Sequence, residues 1–284
     1  MRQNAPAVFA LVLVAAAWGA TFTLIKHLVT AMAPEPFIFW RFTVAGVILC
    51  LVARSRRRLR RELLLPGIIL GLLVFAGYWM QTTGLLTISP SRSALLTGLY
   101  VVMVPFADRL KFGTDIPWNA WAGSVIATGG TAILIGGFDA RPSFGDLLTI
   151  ACAAIFALHV VLSARYTMAH SATGLAAVQV LFVGLAAAPF AVFAKPTPWS
   201  GEIVAIILFT AVVTTALAFV ILMWSQARVT ATEAAIILAF EPVAAAITSV
   251  VWDHEPVTAA FLAGGALVVA GMILSQLRAA SSVC

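Results

Sequence analysis

One long apolar run is interrupted in its middle: Thr232-Glu-Ala-Ala-Ile-Ile-Leu-Ala-Phe-Glu-Pro-Val-Ala-Ala-Ala-Ile-Thr-Ser249. The run is hydrophobic enough for a membrane-spanning helix, yet it contains the pair Glu241-Pro242. A carboxylate at bilayer depth is costly, and proline removes a backbone donor and frees the carbonyl one turn earlier. Such a break is tolerated only where other helices or water satisfy the exposed groups.

A second proline-containing segment lies about half a chain earlier, in Ser91-Arg-Ser-Ala-Leu-Leu-Thr-Gly-Leu-Tyr-Val-Val-Met-Val-Pro-Phe-Ala107. Two interrupted hydrophobic segments at corresponding positions of two halves are the best sequence indication of a transporter site. We therefore predict that Pro105 and Pro242 act as hinges. On this hypothesis the half-helices around them tilt when a substrate leaves the site.

The composition predicts an integral membrane protein. Of the 284 residues, 62% are hydrophobic and 10% are charged, and the mean hydropathy is +1.05. A soluble core would still need a polar shell to cover so much apolar surface. The run from Ala7 to Ala31 is longer than the roughly 7–15 residues of a signal-peptide core and lacks an evident cleavage site, so we interpret it as the first span.

Ten segments approach the length of about 20 apolar residues that crosses a bilayer. They are Ala7 to Ala31, Phe37 to Ala53, Pro66 to Ile88, Ser93 to Leu110, Pro117 to Gly137, Phe144 to Tyr166, Gly174 to Ala194, Gly201 to Gln226, Thr230 to Trp252 and Val257 to Leu277. The connections are mostly very short, so no soluble domain is inserted. The predicted fold class is an all-α integral membrane protein with ten transmembrane helices.

The segments fall into two repeats when the chain is aligned with itself. The corresponding pairs are Trp18 with Phe156 and Arg41 with Gln179 at an offset of 138, Tyr78 with Phe219 and Arg92 with Glu233 at 141, and Pro105 with Pro242 at 137. The difference of four residues is about one helical turn, which predicts an extra turn before Pro105. The predicted domains are residues 1–138 and 139–284, each with five spans. Because five is odd, the second repeat is predicted to be inverted in the membrane.

The charge distribution predicts the topology. Six of the seventeen basic residues lie in one loop, Arg54-Ser-Arg-Arg-Arg-Leu-Arg-Arg61. By the positive-inside rule this loop is cytoplasmic, which places both termini in the cytoplasm and makes the chain a multi-pass protein of the cell (inner) membrane. The net charge of +6 is therefore interpreted as a topology signal, and no nucleic-acid partner is predicted.

Several elements carry a family resemblance. They are Trp18-Gly-Ala-Thr-Phe22, Arg41, Thr-Gly-Leu-Tyr-Val-Val-Met-Val-Pro105, Thr-Glu-Ala-Ala with Phe-Glu-Pro242, and the glycine-rich tenth segment. Together they resemble EamA-domain members of the drug/metabolite transporter superfamily over essentially the whole chain. The resemblance implies a ten-helix carrier of small metabolites, similar to amino-acid exporters such as YddG. The fourth segment departs from the family in ending Asp108-Arg-Leu-Lys-Phe-Gly113 rather than in a Gly-Glu-Arg-like sequence.

Glu241 is the first candidate for substrate binding. A carboxylate near the midplane could bind a substrate ammonium group, and proton coupling through Glu241 or His159 is a further hypothesis. The alternative is a structural acid that is hydrogen-bonded to the helix ends freed by Pro242. His159 could also donate to a substrate carboxylate, or it could only bond a neighbouring helix.

Aromatic residues complete the predicted binding site. Trp18, Tyr78, Trp79, Tyr100 and Trp224 lie in helices that the resembling carriers use to line their cavity. Aromatic faces suit planar or apolar substrates and can hold a cation. The alternative is ordinary helix packing. The site is predicted to lie between the first, third, fourth, sixth, eighth and ninth segments.

The predicted function is a secondary active transporter that exports small metabolites, most plausibly amino acids including aromatic ones, by alternating access. The substrate and the lipid bilayer are the predicted partners, and the protein is expected to be a monomer or a homodimer. No cofactor or metal is predicted, since Cys50, Cys152 and Cys284 lack metal-ligand spacing and no Walker motif occurs. Alternatives are an exporter of drug-like or nucleotide-sugar metabolites, a channel, or an intramembrane enzyme using His159 and Ser163; no enzymatic activity is predicted.

Overall fold

The computed structural model describes residues 5–56, 58–134, 143–252 and 257–276. In these ranges the chain is all-helical, with thirteen α-helices and no strands. The first six are α1 (Ala5–Ala31), α2 (Pro34–Ser55), α3 (Leu64–Gly84), α4 (Pro90–Gly98), α5 (Tyr100–Phe112) and α6 (Trp118–Leu134). The others are α7 (Phe144–Ala169), α8 (Ala172–Val192), α9 (Gly201–Ala211), α10 (Ala218–Gln226), α11 (Ala231–Leu238), α12 (Phe240–Trp252) and α13 (Ala259–Gln276).

Eight helical segments in the described part of the chain are long and apolar enough to cross a membrane. They match the first four and the sixth to ninth predicted spans. The other two, α6 with 17 residues and α13 with 18, adjoin residues outside the described ranges. The predicted ends Gly137 and Leu277 fall among those residues, so the count of ten spans stays a prediction.

Both segments with a predicted interruption are divided into two helices. α4 ends and α5 begins around Leu99, and α11 ends and α12 begins around Ala239. Pro242 explains the second break, because a proline cannot donate to the carbonyl four residues earlier. The first break lies six residues before Pro105, which sits inside α5. Gly98 precedes this break directly, so the first interruption does not begin at its proline.

The starts of the two interrupted segments correspond. The Ser89 hydroxyl accepts a hydrogen bond from the amide of Arg92 (3.3 Å), and the Thr230 hydroxyl accepts one from the amide of Glu233 (3.1 Å). Ser89 and Thr230 thus lie three residues before Arg92 and Glu233, which the repeat predicts to be corresponding positions. From cap to proline the fourth segment is about one turn longer than the ninth, as the four-residue difference in offset predicts.

Helix packing is repeated when the two halves of the chain are exchanged. α3 packs against α7, and its counterpart α10 packs against α1. Likewise α5 contacts α7 as α12 contacts α1, and α8 contacts α3 as α2 contacts α9. The elements of each half thus pack mainly on elements of the other half, around a common centre.

The glycine-rich segments α6 and α13 pack against each other. A methyl group on Gly123 would lie 2.7 Å from the backbone oxygen of Gly271, and one on Gly130 would lie 2.7 Å from that of Gly264. Small residues allow helices to approach this closely in membranes. These four glycines therefore serve packing within the chain.

The substitution Gly130→Ala is expected to lower stability by about 1–3 kcal/mol, the usual cost of overpacking. The matched control is Gly129→Ala, because no atom lies within 4 Å of a methyl group added at Gly129. This control should be neutral or stabilising by up to about 1 kcal/mol through helix propensity. Thermal unfolding of both purified variants measures the difference, and equal melting temperatures would contradict the tight contact.

Candidate functional site

The breaks of the two interrupted segments lie against each other and against α1. A methyl group added at Gly98, the last residue of α4, would lie 3.5 Å from Cγ of Pro242. Gly19 of α1 is closer still, because a methyl group there would collide with the backbone oxygen of Glu241. The three segments therefore meet where the helices are discontinuous, which is where transporters place their substrate sites.

A cavity lies at this crossing. Its lining comes from α1, α3, α4, α5, α7, α10, α11 and α12, which belong to the six segments expected to surround it. Aromatic and aliphatic side chains predominate, with a few polar groups, as is usual for small-molecule sites. The lining residues are Trp18, Val74, Tyr78, Gln81, Thr97, Tyr100, Phe156, His159, Val160, Phe219, Leu222, Leu238 and Glu241.

Two aromatic pairs face the cavity, and the repeat relates one to the other. The rings of Trp18 and Phe219 are 6.0 Å apart, and those of Tyr78 and Phe156 are 5.5 Å apart. The repeat offsets pair Trp18 with Phe156 and Tyr78 with Phe219, so each contact is the counterpart of the other. Corresponding residues of the two halves thus converge on one cavity.

Glu241 brings an acidic side chain to this aromatic lining. It lies in the first turn of α12, where the helix dipole favours a negative charge. Its residue is 8% exposed, yet its carboxylate has no hydrogen bond or ion pair with any described residue. The structural alternative, a carboxylate hydrogen-bonded to the freed helix ends, is not what the described residues show. The carboxylate is available to a ligand.

Polar groups lie at other points of the lining. The Gln81 side-chain amide donates to the Thr97 hydroxyl (3.0 Å), which joins α3 to α4. Nε2 of His159 lies 2.9 Å from Oε1 of Gln179, so the histidine makes an interhelical bond while it also lines the cavity. The Tyr100 hydroxyl is buried and has no hydrogen-bond partner among the described residues.

Two of the predicted binding residues lie outside the cavity lining. The Trp79 indole donates to a carboxylate oxygen of Glu35 (3.3 Å), and the Trp224 ring stacks under the guanidinium of Arg228 (4.1 Å). Trp79 directly follows the lining residue Tyr78, and Trp224 lies two positions after the lining residue Leu222. Both point elsewhere, because successive residues of an α-helix project about 100° apart. The structure brings together Trp18, Tyr78, Tyr100, His159 and Glu241.

Neither Phe156 nor Phe219 is among the binding residues predicted from the sequence, yet both line the cavity. The signal for both was available in the repeat, since they are the counterparts of Trp18 and Tyr78. Gln81 and Thr97 carried no comparable signal, because hydroxyl and amide side chains in membrane helices usually bond neighbouring backbone or helices.

A network behind the lining holds the aromatic residues. Arg41 is 1% exposed, and its guanidinium lies 4.9 Å from the centre of the Tyr78 ring. It donates to the Thr215 hydroxyl (2.7 Å) and, more weakly, to the hydroxyl (3.2 Å) and carbonyl (3.3 Å) of Thr214. The Trp18 indole donates to the same Thr214 carbonyl at 2.8 Å. Both threonines lie in a π-helical turn, Val212–Leu217, a type of turn often found at functional sites.

Ion pairs join the fourth segment to both ends of α7. The Arg92 guanidinium contacts the Asp146 carboxylate at 2.6 and 3.1 Å near the start of α7. Near its end, Arg165 donates to Asp108 at 3.1 Å, and Asp108 also accepts from the Thr114 hydroxyl at 3.1 Å. The departure from the family's ending at Asp108 thus leaves an acidic residue that ties α5 to α7.

The substitution Tyr100→Phe is expected to stabilise the protein and to impair substrate binding. Removing a buried hydroxyl without a partner should raise the stability of the unliganded protein by about 1 kcal/mol. If the hydroxyl binds substrate, the same substitution should weaken substrate affinity severalfold. Thermal unfolding and transport assays on Tyr100→Phe, with Tyr166→Phe outside the lining as control, measure both effects; a loss of stability would show a partner for the hydroxyl.

The helical fold and the cavity at the crossing of two interrupted helices define a multi-pass membrane transport protein. The chain matches the EamA-like transporter family over residues 5–136 and again over residues 143–277. It belongs to that family.

Individual relatives agree with this assignment. An "uncharacterized transporter" of Archaeoglobus fulgidus is 30% identical over 271 residues, which cover 94% of this chain and 85% of the relative. The "uncharacterized transporter YoaV" of Bacillus subtilis is 22% identical over 269 residues, covering 91% and 92% of the two chains. A solved crystal structure with 19% identity matches with a TM-score of 0.82, over 96% of this chain and 98% of that one. It shows that the fold is shared.

Proposed function

We propose that this chain is a secondary carrier that exports small amphipathic molecules bearing an ammonium group, with aromatic amino acids as the leading substrate class. The observation that carries the proposal is the Glu241 carboxylate, which has no protein partner in the described chain and faces a cavity lined by aromatic rings. A carboxylate can pair with an ammonium group, and aromatic faces can hold both a cation and an apolar body.

The cavity offers less to anionic substrates. No lysine or arginine is among the residues that line it, and the Arg41 guanidinium lies behind the Tyr78 ring. A nucleotide sugar would bring phosphate charges next to Glu241 without a cation to balance them. An amino-acid carboxylate could be held near the start of α5 by the Tyr100 hydroxyl, since half-helix N-termini favour anionic groups.

Amines without a carboxylate are a second candidate class. The same absence of lining cations favours them, because such substrates need no partner for a negative charge. They would otherwise use the same carboxylate and the same aromatic pairs. The two classes are therefore separated by the substrate carboxylate alone.

Alternating access between two inverted repeats is the proposed mechanism. Its support is the exchange of packing partners between the halves and the meeting of corresponding aromatic residues at one cavity. The half-helices that meet at Leu99 and Ala239 would tilt with respect to α1 to open one side and close the other. Hinges at Pro105 and Pro242, cytoplasmic termini and a location in the inner membrane remain parts of this proposal.

The described residues do not favour the other classes considered from the sequence. The Ser163 hydroxyl donates to Gln226 (2.7 Å) and the His159 ring bonds Gln179, so the pair is not arranged as a nucleophile and base. A channel would favour a ring of like charges or a filter loop, whereas Glu241 is the one acidic residue in the lining.

Counterflow in proteoliposomes tests the proposal with three probes that differ by one group. Labelled phenylalanine carries both charges, phenethylamine lacks the carboxylate, and 3-phenylpropionate lacks the ammonium group. We expect saturable exchange of phenylalanine and none of 3-phenylpropionate, measured against liposomes without protein. Exchange of phenethylamine but not phenylalanine would select the amine class. Exchange of 3-phenylpropionate alone would contradict the role of the carboxylate.

A further inference from the structure

A second cavity lies at one end of the helix bundle, where the connection from α2 to α3 meets the connection from α7 to α8. Arg56, Arg58 and Arg60 line it from the first connection, and His170 and Ser171 line it from the second. It shares no lining residue with the cavity around Glu241. It is therefore a separate feature of the molecule.

The backbone around this cavity is fixed by packing. The amide of Arg58 donates to the carbonyl of Ala53 at 2.7 Å, which extends the end of α2. The carbonyl of Arg58 lies against α8, where a methyl group added at Gly174 would be only 2.6 Å away. Leu63, at the other end of the connection, is 1% exposed. The arginine side chains thus project from an anchored loop.

The charges in this cavity are not balanced by the protein. Glu62 is the acidic residue in the lining, and it pairs with Arg60 at a distance of 3.8 Å with both side chains largely exposed. Arg56 and Arg58 make no ion pair with any described residue. Nδ1 of His170 is buried and also lacks a hydrogen-bond partner there. The cavity therefore contains more cationic side chains than its one carboxylate, Glu62, can pair.

We infer that this cavity binds a phosphate group. Guanidinium groups match phosphate oxygens through paired hydrogen bonds, and several of them converge here. The cavity lies at an end of apolar helices, which is where membrane-spanning helices meet the lipid headgroups. If the arginine connection is cytoplasmic, it faces the leaflet in which anionic lipids attract basic residues. The phosphate can come from an anionic phospholipid or from a soluble phosphate compound, and both sources present the same chemistry.

The test compares two double variants with equal loss of charge. Arg56→Gln/Arg58→Gln removes two cavity arginines, whereas Arg54→Gln/Arg61→Gln removes two nearby arginines that do not line the cavity, one in the last turn of α2 and one shortly before α3. Native mass spectrometry of each purified protein, titrated with phosphatidylglycerol and with phosphatidylcholine, measures lipid binding. Competition by inorganic phosphate distinguishes a site open to soluble phosphate compounds from one that is specific for lipids.

We expect the cavity variant to bind phosphatidylglycerol at least about tenfold more weakly than wild type, at about 1 kcal/mol for each basic residue. The control variant should change by less than about twofold. If inorganic phosphate displaces phosphatidylglycerol, and the cavity variant binds phosphate more weakly than the control variant by a similar factor, the inference is supported with a soluble phosphate compound as the source. Equal losses in both variants would overturn the inference, because they would reflect general basic charge, and so would unchanged binding of phosphatidylglycerol by the cavity variant.

Discussion

Glu241→Gln is expected to abolish measurable exchange of substrates that carry an ammonium group. Glutamine keeps the size and the hydrogen-bonding ability of the side chain but removes the charge that pairs with the ammonium. Truncating one partner of a desolvated charge pair costs about 2–5 kcal/mol, which corresponds to an affinity loss of roughly 30-fold to 5,000-fold. The variant should fold normally, because the carboxylate has no partner among the described residues. Substrate affinity and counterflow are the measurements.

Glu233→Gln is the matched control for this experiment. It lies eight residues earlier in the same interrupted segment, where its carboxylate accepts from the Thr230 amide at 2.8 Å in a capping box. Its loss should cost some stability, of the order of 1 kcal/mol, and leave affinity unchanged. Unaltered exchange in Glu241→Gln would exclude the proposed charge pair. An equal loss in both variants would show that the effect is structural.

The positions of the helices could be predicted from hydropathy alone. Long apolar runs separated by short polar connections leave few alternatives to membrane-spanning helices. The break around Ala239 was also predictable, because Pro242 has a definite effect on the backbone. The break around Leu99 was not predictable, since glycine is frequent in uninterrupted membrane helices. The prediction relied on Pro105 instead, which lies six residues after the break.

The site could be predicted in part. Polar or aromatic character in an apolar helix indicated Glu241, Tyr78 and Tyr100, and the structure places all three in the lining. The direction of each side chain was harder to predict, because nearly uniform apolar helices lack the polar face that reveals which side is buried. Trp79 and Trp224 were chosen by residue type, and they point away from the cavity. The π-helical turn had no sequence signal either, since threonines such as Thr214 and Thr215 also occur in regular membrane helices, where they bond the backbone of their own helix.

The arrangement around α7 suggests which parts of the proposed carrier move together. The fourth segment is tied to α7 at both ends, by Arg92 with Asp146 and by Asp108 with Arg165. The corresponding segment, α11 and α12, packs on α1 through small residues such as Gly19, and its Glu233 bonds its own helix cap. Contacts between closely packed small residues can slide without breaking an ion pair. On the proposed mechanism, movement between α1 and α12 would break no described ion pair, whereas movement between α5 and α7 would break the pair of Asp108 with Arg165.

Arg41→Lys is expected to destabilise the protein more than Arg41→Met. The buried guanidinium makes three hydrogen bonds to the π-helical turn through its planar geometry, and no acidic residue pairs with it in the described structure. Lysine keeps the buried charge but cannot reproduce the fork of donors. Methionine removes the charge, and well-packed apolar replacements of buried charges are often neutral or stabilising. We expect a loss of about 2–4 kcal/mol for lysine and less than about 1 kcal/mol for methionine.

The more stable of these two variants, Arg41→Met, is nevertheless expected to have impaired transport. Arg41→Met removes one of the two described side-chain donors to the Thr214 carbonyl, leaving the Trp18 indole, and it removes the cation beside Tyr78. The aromatic lining therefore loses one of its supports. We expect a well-folded variant whose substrate affinity falls by about tenfold, in line with the loss of a single cation–π contact and its hydrogen bonds. Thermal unfolding and counterflow of both variants test this order. A lysine variant as stable as wild type would show that the charge alone is required, and full transport by the methionine variant would show that Arg41 does not position the cavity.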